Sequence, residues 1–110
     1  MRTPRRGDVF WVMLDPALGT EIQKTRPAVI VSNDSCNAHG ARVVVLPLTS
    51  NVSSLYPGEA VVRVQGKPRR ALGDQIRSID KARLRSRIGT LTRDEVVAVD
   101  VALRITLDLR

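Results

Sequence analysis

The feature that most limits what this chain can fold into is the brevity of its apolar runs. Residues 9–14, 28–31 and 42–48 are valine- and isoleucine-rich segments bracketed by glycine, proline, asparagine, aspartate or serine. Runs this short suit buried strands and fall below the roughly 10–12 residues of an ordinary helix. Further strands are expected over 59–64, 71–79 and 83–91, with 65–70 forming a basic turn. Pro27 disfavours helix at Arg26, which should therefore lie extended at the mouth of a strand over 28–32. Asn33-Asp34-Ser35 can cap one helical turn reaching His39, with Gly40 as its stop. Pro47 places the end of the third strand at a sheet edge or bulge. Thr49-Ser50-Asn51 reads as the turn beyond that strand. The polar residues 1–6 read as frayed and the charged segment 17–25 as a loop.

The C-terminal segment supports two patterns. Val99, Val101, Leu103, Ile105, Leu107 and Leu109 alternate as in a strand, and valine favours that reading. Thr92-Arg93-Asp94-Glu95 has the form of a capping box, a threonine followed three residues later by a glutamate. The capping box decides for a helix over 93–105. Many short strands with one or two helices give a mostly β fold, a small and strongly bent β-barrel with a helix packed on it.

A chain of 110 residues fits one domain, 1–110. The single cysteine, Cys36, excludes an internal disulfide framework and fits a reducing compartment. No apolar stretch has the length of a signal core or a membrane span, so a cytoplasmic protein is expected. The formal charge is +7, and 15 of the 18 basic residues are arginine. The planar guanidinium meets phosphate oxygens in pairs, which favours a polyanion partner. An arginine-rich proteome from a GC-rich genome would leave the same mark. Phe10, Trp11 and Tyr56 are the only aromatic residues, too few for a broad base-stacking platform.

Several chemistries drop out. Cys36 and His39 make a lone C-x-x-H pair without a second half, and Asp74 and Asp80 are separated by Arg77, so no metal site is expected. His39 is the only histidine, which removes two-histidine nuclease chemistry, and a Ser-His-Asp triad has no support. What remains is arginine, hydroxyls and a few carboxylates. If the strands beginning near Arg26 and ending near Thr49 are antiparallel neighbours, the two side chains share one end of the sheet. A solvated strand end with a turn-forming threonine is the simpler alternative.

Three spaced blocks carry a resemblance across nearly the whole chain: "RGDVFWVMLDPALGTEIQKTRPAVIVSND", "VLPLTS" and "GDQIRSIDKARL". Together they resemble the MazF/PemK family of toxin endoribonucleases. The family's D-P-x-x-G-x-E-x-x-K-x-R-P pattern falls on residues 15–27, its strand-ending threonine with a small polar residue on Thr49-Ser50, and its Q-[IV]-R-[ST]-[IVL]-D on 75–80. The resemblance implies an SH3-like barrel of the MazF/PemK/CcdB type with a C-terminal helix. It also implies a homodimer, and metal-independent, cofactor-free cleavage of single-stranded RNA to 2′,3′-cyclic phosphate and 5′-hydroxyl ends.

By matched position, Arg26 and Thr49 would be the catalytic pair. Thr20, Glu21 and Lys24 would lie in a loop beside them, and Gln75 would come from the third block. Ser50, Arg69, Arg70 and Arg77 complete the expected RNA-binding set, with Glu21 a candidate base on chemistry alone. A basic RNA groove calls for a reversible plug, an antitoxin with an acidic, partly disordered tail. Gyrase-binding toxins share the barrel but lack the K-x-R-P and T-S features; a non-catalytic RNA-binding barrel is the other alternative. The loops "NVSSLYPGE" and "VQGKPRRAL" depart from better-known members, which leaves cut-site choice open.

Overall fold

The computed structural model describes residues 3–110. Seven strands are present among them: β1 (Asp8–Met13), β2 (Thr25–Ile30), β3 (Arg42–Thr49), β4 (Glu59–Val64), β5 (Lys67–Leu72), β6 (Arg77–Asp80) and β7 (Leu84–Thr90). Two α-helices join them, α1 (Asp34–His39) and α2 (Arg93–Leu107). The sheet runs β4-β5-β3-β2-β1-β7, and β6 pairs with β3; every pairing is antiparallel. This is the expected mostly β, curled barrel-like fold with a C-terminal helix.

The apolar runs of β1, β2 and β3 are continuous because both faces of those strands are buried. One face carries Val9, Val29, Leu46 and Leu48, packed with Ala60, Val62 and Val64 of β4 and with Val99, Ala102 and Leu103 of α2. The other carries Phe10, Val12, Ala28, Ile30, Val43 and Val45, closed over by Ile79 and Leu84. In contrast, β4 lies at the end of the sheet and alternates, with Ala60, Val62 and Val64 buried and Val61 and Arg63 exposed. Burial on one face produces period-two patterning, and burial on both erases it.

The capping box forms as expected. Thr92 Oγ1 accepts from the Glu95 amide at 3.2 Å, and Glu95 Oε1 accepts from the Thr92 amide at 2.8 Å. The second Glu95 oxygen accepts from the Arg63 amide of β4 at 2.6 Å. One side chain thus caps α2 and satisfies an N–H of an edge strand. Burial pushes the Glu95 carboxyl upward. The amides of Thr92 and Arg63, the Thr92 hydroxyl and the Arg63 charge outweigh that effect and hold it below the ordinary range. The alternation that suggested a strand arises because α2 carries apolar residues on two sides. Val99, Ala102 and Leu103 are buried, whereas Val97, Val101 and Ile105 are exposed.

Several expectations need correction. The turn at 65–70 contracts to Gln65-Gly66, both with positive φ, and residues 67–72 form β5. The single strand expected over 71–79 is broken by a 3-10 turn over Gly73–Gln75. A close approach requires this break: Gly73 N–H donates to Gly58 O at 3.1 Å, and a Cβ on Gly73 would fall 2.2 Å from that oxygen. The strand expected over 28–32 starts earlier and ends sooner, at Thr25–Ile30. Pro47 lies on neither an edge nor a bulge. β3 pairs with β6 through Val45 and with β5 from Leu48, so Pro47 sits at the handover between two partners. Thr49 is the last residue of β3 rather than part of a turn beyond it.

The N-terminal segment is tied down from Arg5 onward. The Arg6 amide donates to Asp34 at 2.8 Å, its Nε donates to Val31 O at 3.1 Å, and its guanidinium pairs with Asp100. The expected fraying of Met1 and Arg2 lies outside the described residues.

Candidate functional site

The β1–β2 hairpin is joined by a long loop whose neck is held from three sides. Leu14 N–H donates to Lys24 O at 2.9 Å, and Lys24 N–H donates to Asp15 Oδ1 at 2.9 Å, with Lys24 in the left-handed region at φ 71°. Gln75 Oε1 accepts from the Ile22 amide at 2.7 Å, and Arg77 Nη1 donates to Leu14 O at 2.8 Å. Arg83 Nη1 donates to Met13 O at 3.0 Å and to Asp15 O at 2.5 Å. Within the loop, Glu21 Oε1 accepts from the Leu18 amide at 2.7 Å. Two members of the expected RNA-binding set, Gln75 and Arg77, therefore build the loop's support.

Register brings Arg26 and Thr49 to the same end of the sheet. β2 and β3 are antiparallel with Ala28 opposite Pro47, and counting the same register two residues onward sets Arg26 opposite Thr49. On its other sides Arg26 is opposite Val12 of β1, and Thr49 is opposite Arg70 of β5. Side chains two apart on a strand share a face, so Arg26 follows Ala28 and Thr49 follows Pro47 on the same side of the sheet. Arg26 Nε donates to Gln23 O at 3.1 Å, and among the described residues its terminal nitrogens have no carboxylate partner. Thr49 Oγ1 accepts from the Asn51 amide at 3.3 Å, which leaves its own proton available to donate.

A cavity of about 260 Å³ reaches toward this end of the sheet at Pro47 and is lined by Leu14, Thr20, Glu21, Ile22, Pro47, Asp74, Gln75, Ile76 and Arg77. Leu14, Ile22, Pro47 and Ile76 give it aliphatic wall, while polar groups make up the larger share of its lining, with both signs of charge. Pro47 links it to Thr49 along one face of β3.

A family model described as PemK-like, MazF-like toxin of type II toxin-antitoxin system matches residues 5–107. The endoribonuclease MazF9 of Mycobacterium tuberculosis is 40% identical over 114 residues, covering 96% of this chain and 97% of that one. The chain belongs to this toxin family. Solved structures agree in fold. MazF from Deinococcus radiodurans superposes with a TM-score of 0.86 at 25% identity, covering 98% of this chain and 99% of that one. An endoribonuclease in complex with its cognate antitoxin, from a mycobacterial species, gives 0.82 at 26% identity, covering 97% of each chain.

The toxin barrel gathers most of the expected residues but not all. Thr20, Glu21, Gln75 and Arg77 share the cavity; Arg26 and Thr49 are outside its lining, Thr49 two residues along β3 from the lining residue Pro47. Lys24 and Ser50 are exposed neighbours, in the loop neck and directly after Thr49. Arg69 and Arg70 separate because adjacent residues on a strand point to opposite faces. Arg70 lies on the Thr49 face, but its Nε is 3.5 Å from Glu59 Oε1 with both side chains largely buried, and its Nη1 donates to Ser54 O. Arg69 shares the face of its cross-strand partner Val62, on the core side.

Sequence reasoning missed Leu14, Ile22, Pro47, Ile76 and Asp74 as cavity residues. The aliphatic ones carry no chemical signature, and in the sequence Asp74 stands out only as a possible metal ligand. Among the described residues no group of three His, Cys, Asp or Glu side chains comes together as a metal-ligand set, and no helix is long and apolar enough to cross a membrane.

Proposed function

We propose that this protein is the toxin of a type II toxin–antitoxin pair and cleaves single-stranded RNA at Arg26 and Thr49. The whole chain, 1–110, acts as one domain, in the cytoplasm where its substrate lies. The observation that carries the reading is the register of β2 and β3, which, continued two residues past the Ala28–Pro47 pair, brings the arginine of K-x-R-P and the threonine of T-S to the same end of the sheet. The endoribonuclease name of the 40% identical relative supports the same activity.

The ribose 2′-hydroxyl attacks the adjacent phosphorus in line and the 5′-oxygen leaves. Arg26 offers a permanently charged planar fork to the oxygens that gain charge in the phosphorane. Thr49 hydrogen-bonds a phosphoryl oxygen and holds the in-line geometry. Gln75 and Arg77 act by positioning: they hold the β1–β2 loop against the sheet and so set the depth of the groove. Neither a metal nor an organic cofactor takes part. The toxin works as a homodimer, and its cognate antitoxin covers the basic groove with an acidic tail.

Cleavage of a mixed RNA pool in EDTA, beside DNA of the same sequences, tests this. RNA should be cut and DNA spared, since DNA lacks the nucleophile. Loss of cleavage in EDTA with recovery in Mg²⁺ would overturn the metal-free mechanism, and RNA binding without cleavage would favour a non-catalytic barrel.

A further inference from the structure

Resting on the endoribonuclease reading, we propose that the cavity reaching toward the Arg26–Thr49 end of the sheet is a nucleobase pocket in which Asp74 selects an amino-bearing base next to the cleaved phosphate. Four aliphatic walls, Leu14, Ile22, Pro47 and Ile76, suit the faces of a planar ring. The volume of about 260 Å³ lies just under the roughly 300–1,000 Å³ of pockets for drug-sized ligands, so it takes one ring system and not a dinucleotide. Pro47 precedes Thr49 by two residues on the same face of β3, which puts the pocket within one nucleotide of the proposed scissile phosphate.

The rim then decides which base enters. Gln75 Oε1 is occupied by the Ile22 amide, Arg77 Nη1 by Leu14 O, and Glu21 Oε1 by the Leu18 amide. Asp74 lines the same cavity, is exposed, and has no hydrogen bond or ion pair within the chain among the described residues. An ionised carboxylate only accepts hydrogen bonds. It therefore pairs with a base edge that donates. Guanine presents two adjacent donors, N1–H and N2–H, which match two carboxylate oxygens; adenine and cytosine each present one amino group. Uracil sets carbonyl oxygens on either side of its single N–H and is disfavoured. A neutral base edge that donates hydrogen bonds suits this carboxylate better than an acidic side chain does, so a nucleobase is the better occupant.

Two arms test the proposal with wild type and Asp74→Asn. In the first, a randomised single-stranded RNA pool is cut and the ends are sequenced. In the second, a randomised 2′-O-methyl pool, which lacks the nucleophile, is bound and the retained fraction is sequenced. Wild type should disfavour uridine at one position beside the cut by roughly tenfold or more, with guanosine the most enriched. Asp74→Asn, which adds a donor, should lose that preference or move it toward uridine. Superimposable preferences for the two proteins overturn the pocket. If wild type cuts nothing, the endoribonuclease reading fails, and the binding arm still judges the pocket by the same shift or its absence. An Asp74→Asn variant that changes affinity for an acidic peptide but not base preference also overturns it, in favour of protein docking.

Discussion

Arg26 is braced by a neutral group. The Gln23 carbonyl holds its Nε, so the guanidinium is oriented without having its charge quenched by an acid. Such an arrangement favours a transition state that gains charge over a ground state that already has it. Arg26→Ala should therefore lower single-turnover cleavage at least about a hundredfold, ~3 kcal/mol, while RNA binding weakens much less. Arg26→Lys should restore little, because a point charge does not reproduce the fork. Thr49→Ala should lose activity, and Thr49→Ser should keep more. Rates near wild type for folded Arg26→Ala would remove it from the chemistry, and equal losses in binding and rate would make it an anchor. Arg26 was legible in the sequence because Pro27 fixes the local backbone. Arg70 was not, since its partner Glu59 reaches it only through β4–β5 pairing.

At the scale of elements, α2 and the Gly73–Gln75 turn position the site from behind. Gly58, Gly73 and Thr106 meet so closely that a Cβ on Gly73 would lie 2.2 Å from Gly58 O and 2.6 Å from Thr106 Oγ1. Gly73→Ala should cost about 1–3 kcal/mol of stability through overpacking. It should also reduce cleavage beyond that loss, because Gln75 follows in the same turn and holds Ile22; denaturant melts beside cleavage rates separate the two.

At the other end of α2, Glu95 makes the tie between the helix and β4 sensitive to acid. Its folded carboxyl is held below the ordinary range, so its stabilisation is fully present above that range and is lost as pH falls through the folded value. Glu95→Gln should cost about 1–2 kcal/mol at neutral pH and flatten the acid arm of the stability–pH curve, as read by denaturant titrations across pH. The helix itself was legible because a capping box is local. The break at Gly73 was not, because the oxygen that forces it belongs to a residue distant in sequence, Gly58.

For the whole molecule, a core buried on both faces of β1–β3 leaves apolar surface elsewhere. Val97, Val101 and Ile105 are exposed at four-residue spacing along α2, with Leu107 and Leu109 beyond them. A stripe of this kind suits a second copy of the chain. Sedimentation should show a dimer at micromolar concentration, and Val101→Asp should yield a folded monomer with weakened cleavage. A fully active wild-type monomer would contradict this.

The decisive chemical question is whether the substrate's own 2′-hydroxyl is the nucleophile at the Arg26–Thr49 end of the sheet. The direct measurement uses one RNA oligonucleotide with a single mapped cut and its twin carrying 2′-deoxy only at the scissile nucleotide, both in EDTA. Cleavage of the first to 2′,3′-cyclic phosphate and 5′-hydroxyl ends, with the twin left intact but bound comparably, is the predicted result. Cleavage of the twin at the same bond, or 5′-phosphate ends from either, would contradict it.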